Sequence, residues 1–420
     1  MFHIFNKKER LIRPKQLSEE EKNKFNQKQL DTQIELGKQS GINIKVYSDL
    51  RNISLMKYAR EALEFGAAPS AVRKIIKAYQ KKEICEEEFE NLCEKSIYVI
   101  DLTFIKDEYK ITEKPIEKKK TYSYPSAFYG ACFGDIAGSD WEYCFSKKDR
   151  TGITIHNCIS KTSHATDDTI LSCATAKAMK EKITLFEYPL TLDEYEERSE
   201  YPFKINPYTK YYKEYAKMPF KGAGYGSGFM SWVSMDDYLP YGSLGNGSAM
   251  RISPIPEYFD DLDNVIYHSV VSAAATHNHP EGIKGAVVTA VSIWMAKNGY
   301  SREQIFHYIV SYYKPEHNQL FIRNENLIKE FTMEEIKKMR GPATCPFSVP
   351  AAAICFHESN SFEDVIDNCL SFDGDTDTIG AIAGSIAGSY YGVPEKYRKI
   401  VDERKPDKIF DIALAIINKK

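Results

Sequence analysis

The sequence predicts a helical fold in two parts, and three observations carry that reading. The 420 residues show no sustained alternation of apolar and polar positions, so no extended sheet is expected. Two apolar stretches, 273–296 and 379–391, are rich in small residues at helical spacing. Composition also changes near residue 120. Before it the chain is rich in Lys, Glu, Gln and Ile and holds only Gly37, Gly41 and Gly66; after it Gly, Ala and Ser gather in short motifs. The expected organisation is a smaller helical extension at 1–120 and a compact multi-helix bundle at 121–420.

In the first part, Ser18 is a candidate cap for a solvated helix running to about Gln39. A short amphipathic helix follows over 54–66 and ends at Gly66. The next starts at Pro69 and puts Val72, Ile75, Ile76 and Tyr79 on one face. Another begins near Glu87, and the run Lys114 to Lys120 reads as a charged linker. In the second part, Gly380, Gly384 and Gly388 fall four apart and so share a helix face, which predicts close helix packing. Residues 185–221, aromatic, charged and poorly periodic, read as a loop-rich insertion.

Composition narrows the function. Hydrophobic residues make up 43% and charged residues 27%, which excludes global disorder. With 56 Lys plus Arg against 59 Asp plus Glu, the net charge is -3, so a dedicated nucleic-acid binder is not expected. No long uninterrupted apolar stretch predicts a membrane span, and the apolar start is too short for a secretory segment. Nine scattered cysteines without a CxxC pair fit a reducing, cytoplasmic setting better than a disulfide framework or a cysteine zinc site.

Two acidic clusters dominate the chemistry. Thr166-Asp167-Asp168-Thr169 and Asp373-Gly374-Asp375-Thr376-Asp377-Thr378 each stand directly before an apolar helical run. Either alone reads as N-capping. A cap needs one oxygen, however, whereas these clusters supply adjacent carboxylates that repel one another unless a cation sits among them. Oxygen donors without cysteine point to hard cations, Mg²⁺ or Mn²⁺. An EF-hand loop is excluded, since its sixth and twelfth places would hold Thr378 and Gly384.

Between the clusters lie two glycine-rich segments, 222–228 and 241–251. They read either as turns or as backbone cradles for a phosphate. His277 and His279 form an HxH pair, a poor zinc signal without a third ligand, so a histidine touching substrate oxygens is the better expectation.

Taken in order, GACFGDIAGSDWEY from Gly130, ATDDT from Ala165, GYGSG from Gly224, GSLGNGSAMRISPI from Gly242, THNHPEGIKGA from Thr276 and GDTDTIGAIAGSIAGSYYG from Gly374 resemble the ADP-ribosylglycohydrolase family, the DraG/ARH-type hydrolases. The resemblance covers about Tyr122 to Gly392. It implies an all-α catalytic domain with two Mg²⁺ ions, Mn²⁺ being an alternative. It implies metal ligation by Thr166, Asp167, Asp168, Asp375, Asp377 and Thr378, and catalytic roles for Glu142 and Asp168. The diphosphate and distal ribose would lie on Gly224, Tyr225, Gly226, Gly242, Ser243, Gly245, Asn246, Gly247 and Ser248, with His277 beside them. Asp373 departs from the family pattern, which has glycine there.

The reaction so implied is removal of ADP-ribose from modified protein side chains, arginine linkage favoured over serine. Cations would orient the ribose and lower the pKa of the attacking water, while remote contacts on the glycine segments position the sugar. A second hypothesis gives residues 1–120 a binding role, docking a partner such as an ADP-ribosylating toxin. A third, a relative without activity, sits badly with intact crowded carboxylates.

Overall fold

The computed structural model describes residues 58–59, 62, 69–96, 108–143, 152–181, 206–235, 240–313, 341–372 and 374–418. Most of the expected helices before Pro69 lie outside these residues, as does much of the region expected to dock a partner. The chain divides into two compact units, Met1–Ser96 and Ile97–Lys420.

In the first unit, α1 (Pro69–Gln80) and α2 (Glu86–Ser96) form where their apolar spacing predicts. Val72, Ile75 and Ile76 of α1 are buried, as are Phe89, Leu92 and Cys93 of α2. The Tyr79 and Phe89 rings meet edge to face with centroids 5.3 Å apart.

The second unit is entirely helical among the described residues, apart from one isolated bridge between Gly245 and Thr344. Its helices are α3 (Ser126–Gly138), α4 (Asp167–Ala178), α5 (Pro207–Ala216), α6 (Ser227–Val233), α7 (Gly247–Met250), α8 (Pro254–Tyr258), α9 (Leu262–Ala274), α10 (Pro280–Lys297), α11 (Arg302–Tyr312), α12 (Cys345–His357), α13 (Phe362–Leu370), α14 (Thr376–Tyr391), α15 (Glu395–Arg404) and α16 (Asp407–Ile417). No described helix is long and apolar enough to cross a membrane.

The core of this unit is the α3–α14 pair, both buried almost along their whole length. A side chain on Gly130 would overlap the Gly384 carbonyl, one on Gly134 the Gly380 carbonyl, and one on Gly138 the backbone of Asp377. These pairings run in opposite order along the two helices, so the helices are antiparallel in backbone-to-backbone contact. The glycine face expected on α14 therefore has a matching face on α3. Its last rung sets the C-terminal end of α3 against the N-terminal end of α14.

Two expectations change. The region taken as a loop-rich insertion contains α5, capped by Asn206, whose side chain accepts from the Tyr208 amide at 2.9 Å. Tyr208, Tyr211, Tyr212 and Tyr215 are buried along it, so the aromatic run is a core-facing helical stripe. Its polar hydroxyls hid that period. The run Lys114 to Lys120 is a strap on the second unit rather than a free linker. The Glu117 amide donates to the Gly299 carbonyl at 2.8 Å and the Lys120 amide to the Lys297 carbonyl at 2.9 Å. Gly299, with φ of 84°, permits this approach, since any side chain there would overlap Glu117. The charged side chains of the strap stay near the surface while its backbone bonds inward.

Candidate metal centre

Asp167 and Asp168 open α4, and Thr166 is its cap, with Oγ1 accepting from the Asp168 amide at 3.3 Å. Asp375 and Asp377 stand at the start of α14. The last rung of the glycine pair carries α3 to the same place. Glu142 follows α3 and joins them.

Two triads of carboxylates result. Asp135, Asp168 and Asp377 each offer an oxygen within 4.8 Å of the others, and so do Glu142, Asp375 and Asp377. Asp377 belongs to both. Thr378 Oγ1 donates to Asp168 Oδ2 at 3.4 Å, tying together segments 210 positions apart. Asp167 stands beside the triads. Its amide donates to the Ala223 carbonyl at 2.6 Å, and its Oδ1 would be 3.4 Å from a Cβ on Gly224.

Asp135 was not singled out from the sequence. It is fully buried in α3. Its Oδ1 accepts from Thr166 Oγ1 at 2.8 Å, and its Oδ2 accepts from the Thr166 amide at 3.0 Å and the Thr169 amide at 3.1 Å, with a further short bond from Thr169 Oγ1. The available signal was an aspartate inside an otherwise small and apolar helix, GACFGDIAG.

Burial, followed by repulsion from neighbouring carboxylates, holds Asp167, Asp168 and Asp377 well above the usual carboxylate range. Burial also raises Asp135, against the hydrogen bonds it accepts from Thr169 and Thr166. Glu142 is pushed up to about 7 by burial, then by Asp375 and Asp135. Asp168 Oδ1 is buried without a hydrogen-bond partner. Among the described residues no Lys or Arg pairs with these carboxylates. Anionic oxygens so crowded, one with an unused lone pair, fit a hard divalent cation.

The glycine segments border this cluster. Tyr225 lies near Asp167, whose charge adds to burial in raising the phenol; its ring stacks on Phe229 at 5.5 Å. Gly224 and Gly226 are exposed. In the second segment the Gly242 amide donates to Asn278 Oδ1 at 2.8 Å and the Ser243 amide to the Thr276 carbonyl at 3.3 Å. Asn246 Nδ2 donates to Asp375 Oδ2 at 2.7 Å, joining the loop to the second acidic cluster. His277 sits against Gly245 and Gly247. Ser248 is fully buried, and its hydroxyl donates to the Gly282 carbonyl at 2.7 Å, supporting the loop from behind. Asp373 lies outside the described residues.

The chain is similar to several known proteins. The family model described as ADP-ribosylglycohydrolase matches residues 123–420. ADP-ribosylhydrolase ARH3 of Gallus gallus is 31% identical over 185 residues, covering 36% of this chain and 50% of that protein. ADP-ribosylhydrolase ARH3 of Homo sapiens is 25% identical over 333 residues, covering 64% and 86%. ADP-ribosylarginine hydrolase Tri1 of Pseudomonas putida is 28% identical over 163 residues, covering 38% and 42%. The matched part spans between 50% and 66% of the first three relatives. A solved structure titled ADP-ribosylglycohydrolase-related protein complex is similar with a TM-score of 0.48 and 19% identity, over 70% of this chain and 96% of that one. The family model covers more than half of the chain, including every segment that builds the acidic cluster and its glycine border, and the chain belongs to the ADP-ribosylglycohydrolase family.

Proposed function

We propose that this chain removes ADP-ribose from modified protein side chains in a reaction that needs two Mg²⁺ ions, which Mn²⁺ can replace, with arginine linkage favoured over serine. The observation that carries the reading is the pair of carboxylate triads sharing Asp377. A carboxylate shared by two ligand sets suits a two-cation site, in which the ions lie close together. The names of the relatives support release of ADP-ribose, and one of them, an ADP-ribosylarginine hydrolase, is the ground for placing the arginine linkage first.

Residues 121–420 carry the reaction. Asp168 and Asp377 provide oxygens to one cation; Asp375 and Asp377, with Glu142 close by, provide them to the other. Asp167, Thr166 and Thr378 complete the ligand set. When bound, the cations supply orientation of the ribose hydroxyls and a water of lowered pKa. Glu142, at the edge of the cluster beside Asp375 and Asp377, is placed to take the proton of the attacking water and return it to the leaving group. Water adds to the anomeric carbon and the bond to the protein side chain breaks, so ADP-ribose and the restored side chain are the products. Gly224, Gly226 and Gly247 would border the diphosphate with their amides. Gly242 and Gly245, whose amides are held by Asn278 and Ser243, would shape the turn around it, and Tyr225 and Ser243 would border the sugar. Binding there is remote from the reacting bond and positions it.

The test is timed release of ADP-ribose from arginine- and serine-linked peptides, with Mg²⁺, with Mn²⁺ and after chelation. Release that needs a divalent ion and runs faster on the arginine peptide is expected. No release from either peptide in any condition overturns the reading.

A further inference from the structure

Behind the second glycine segment lies a buried polar chain that the proposed reaction leaves unused. Arg251, just after α7, is fully buried. Its guanidinium carbon lies 3.9 Å from the centre of the Tyr212 ring. Nη2 donates to the Ser272 carbonyl at 3.1 Å and to Thr276 Oγ1 at 2.8 Å. Nε and Nη1 have no hydrogen-bond partner, and no carboxylate pairs with the charge among the described residues. An unpaired buried guanidinium is destabilising, and an apolar side chain would fill the same space without that cost.

The hydrogen-bond inventory shows what the arginine does. Arginine only donates, so Thr276 Oγ1 accepts from it. Thr276 is fully buried, and its hydroxyl has one other neighbour among the described residues, His277 Nδ1 at 2.6 Å. Donation of the threonine proton to Nδ1 satisfies this hydroxyl and leaves Nδ1 as the bare nitrogen of the ring, whereas the reverse direction would strand a buried hydroxyl proton without an acceptor among the described residues. Burial, and then the Arg251 charge, keep the imidazole neutral. Its single proton is left on Nε2. That nitrogen would lie 3.4 Å from a Cβ on Gly245 and 3.2 Å from one on Gly247, and it makes no hydrogen bond among the described residues.

We propose that Arg251 is a positioning residue: through Thr276 it locks His277 in the Nε2–H form, so that the ring presents one fixed donor to an anionic oxygen resting on the Gly245–Gly247 turn. The opposite form would point a lone pair at that anion and repel it. The inference rests on reading this turn as the diphosphate subsite, but the proton position can be observed without any ligand.

The experiment uses the full chain labelled with ¹⁵N at histidine, with His277→Gln serving only to assign the resonance. Long-range ¹H–¹⁵N spectra of the unliganded protein are expected to show the proton on Nε2. In Thr276→Val both ring forms should appear, and the Kd for ADP-ribose should rise by the reciprocal of the Nε2–H fraction read from the same spectra, about twofold for an even mixture. Thr276→Ser should restore both. Arg251→Lys tests the same relay from its far end, and a folded variant should show the same mixture. A proton on Nδ1 in the unmodified chain, or an unchanged ring form and Kd in Thr276→Val, overturns the proposal. If the unmodified chain carries the proton on Nε2 but does not bind ADP-ribose, the proposed function fails and the relay stands.

Discussion

Asp135 and Asp168 are both buried carboxylates, and their surroundings give them different work. Asp135 is surrounded by donors, since two amides and two hydroxyls of the α4 N-terminus point at it. Asp168 keeps one oxygen without any donor. Asp168 is thus the better candidate ligand, and Asp135 holds the helix end that presents it. Asp377→Ala removes the oxygen common to both triads, so turnover is expected to fall by more than the roughly 10–100-fold that accompanies loss of an outer partner of a metal ligand. Asp135→Asn should fall within that range, seen as weaker Mn²⁺ binding by calorimetry. Equal effects of the two substitutions on Mn²⁺ affinity would mean that Asp135 is itself a ligand. Asp168 and Asp377 were legible in the sequence because charge was crowded at two helix starts. Asp135 was not, because a single aspartate within a helix carries no such pattern, and its partners come from another element.

The α3–α14 pair shows how an element can set the geometry of a site. Its glycines remove side chains along the whole contact, but only the last rung meets a ligand-bearing residue: Gly138 abuts the backbone of Asp377, whereas Gly130 abuts Gly384 farther along. Gly130→Ala and Gly138→Ala should each lower stability by about 1–3 kcal/mol or more, because backbone cannot yield as a flexible side chain can. Only Gly138→Ala should also weaken Mn²⁺ binding. Urea unfolding and calorimetry on the two variants separate these effects, and equal metal affinity in both would show that the last rung does not position Asp377. The α14 face was readable from three glycines four apart, while its partner face on α3 was hidden among alanines and aromatics. The tyrosine stripe of α5 escaped detection for a related reason. Tyrosine is apolar along its ring and polar at its tip, so a buried stripe of it looks polar until its contacts are known.

At the scale of the whole molecule, the folded chain gathers Asp135, Asp168 and Asp377 in its interior with the partly exposed Asp167 and Glu142 beside them, and each has its pKa raised there by burial first. A raised carboxylate pKa means that the folded state holds a proton which the unfolded chain releases. Stability from these groups is therefore present at low pH and lost as pH rises; for Glu142 the window runs from its ordinary 4.5 to about 7. Glu303 shifts in the opposite direction through its hydrogen bond with His357, but it is an exposed group whose contribution solvent screens. Burial holds His268, His277 and His279 neutral, so they add stability as pH rises towards their ordinary 6.5 and oppose the carboxylates below it; without metal the thermal midpoint should therefore fall from about pH 6.5 upward. Divalent cations replace the missing protons by binding the ionised form, so millimolar Mg²⁺ should remove most of that fall and raise the midpoint most at the upper end. Scanning calorimetry of chelator-treated and Mg²⁺-loaded protein across this range checks the sign directly. A metal-free midpoint that still rises with pH above about 6.5 would mean that these carboxylates are not crowded in the folded chain, and a Mg²⁺ effect independent of pH would place the cation elsewhere.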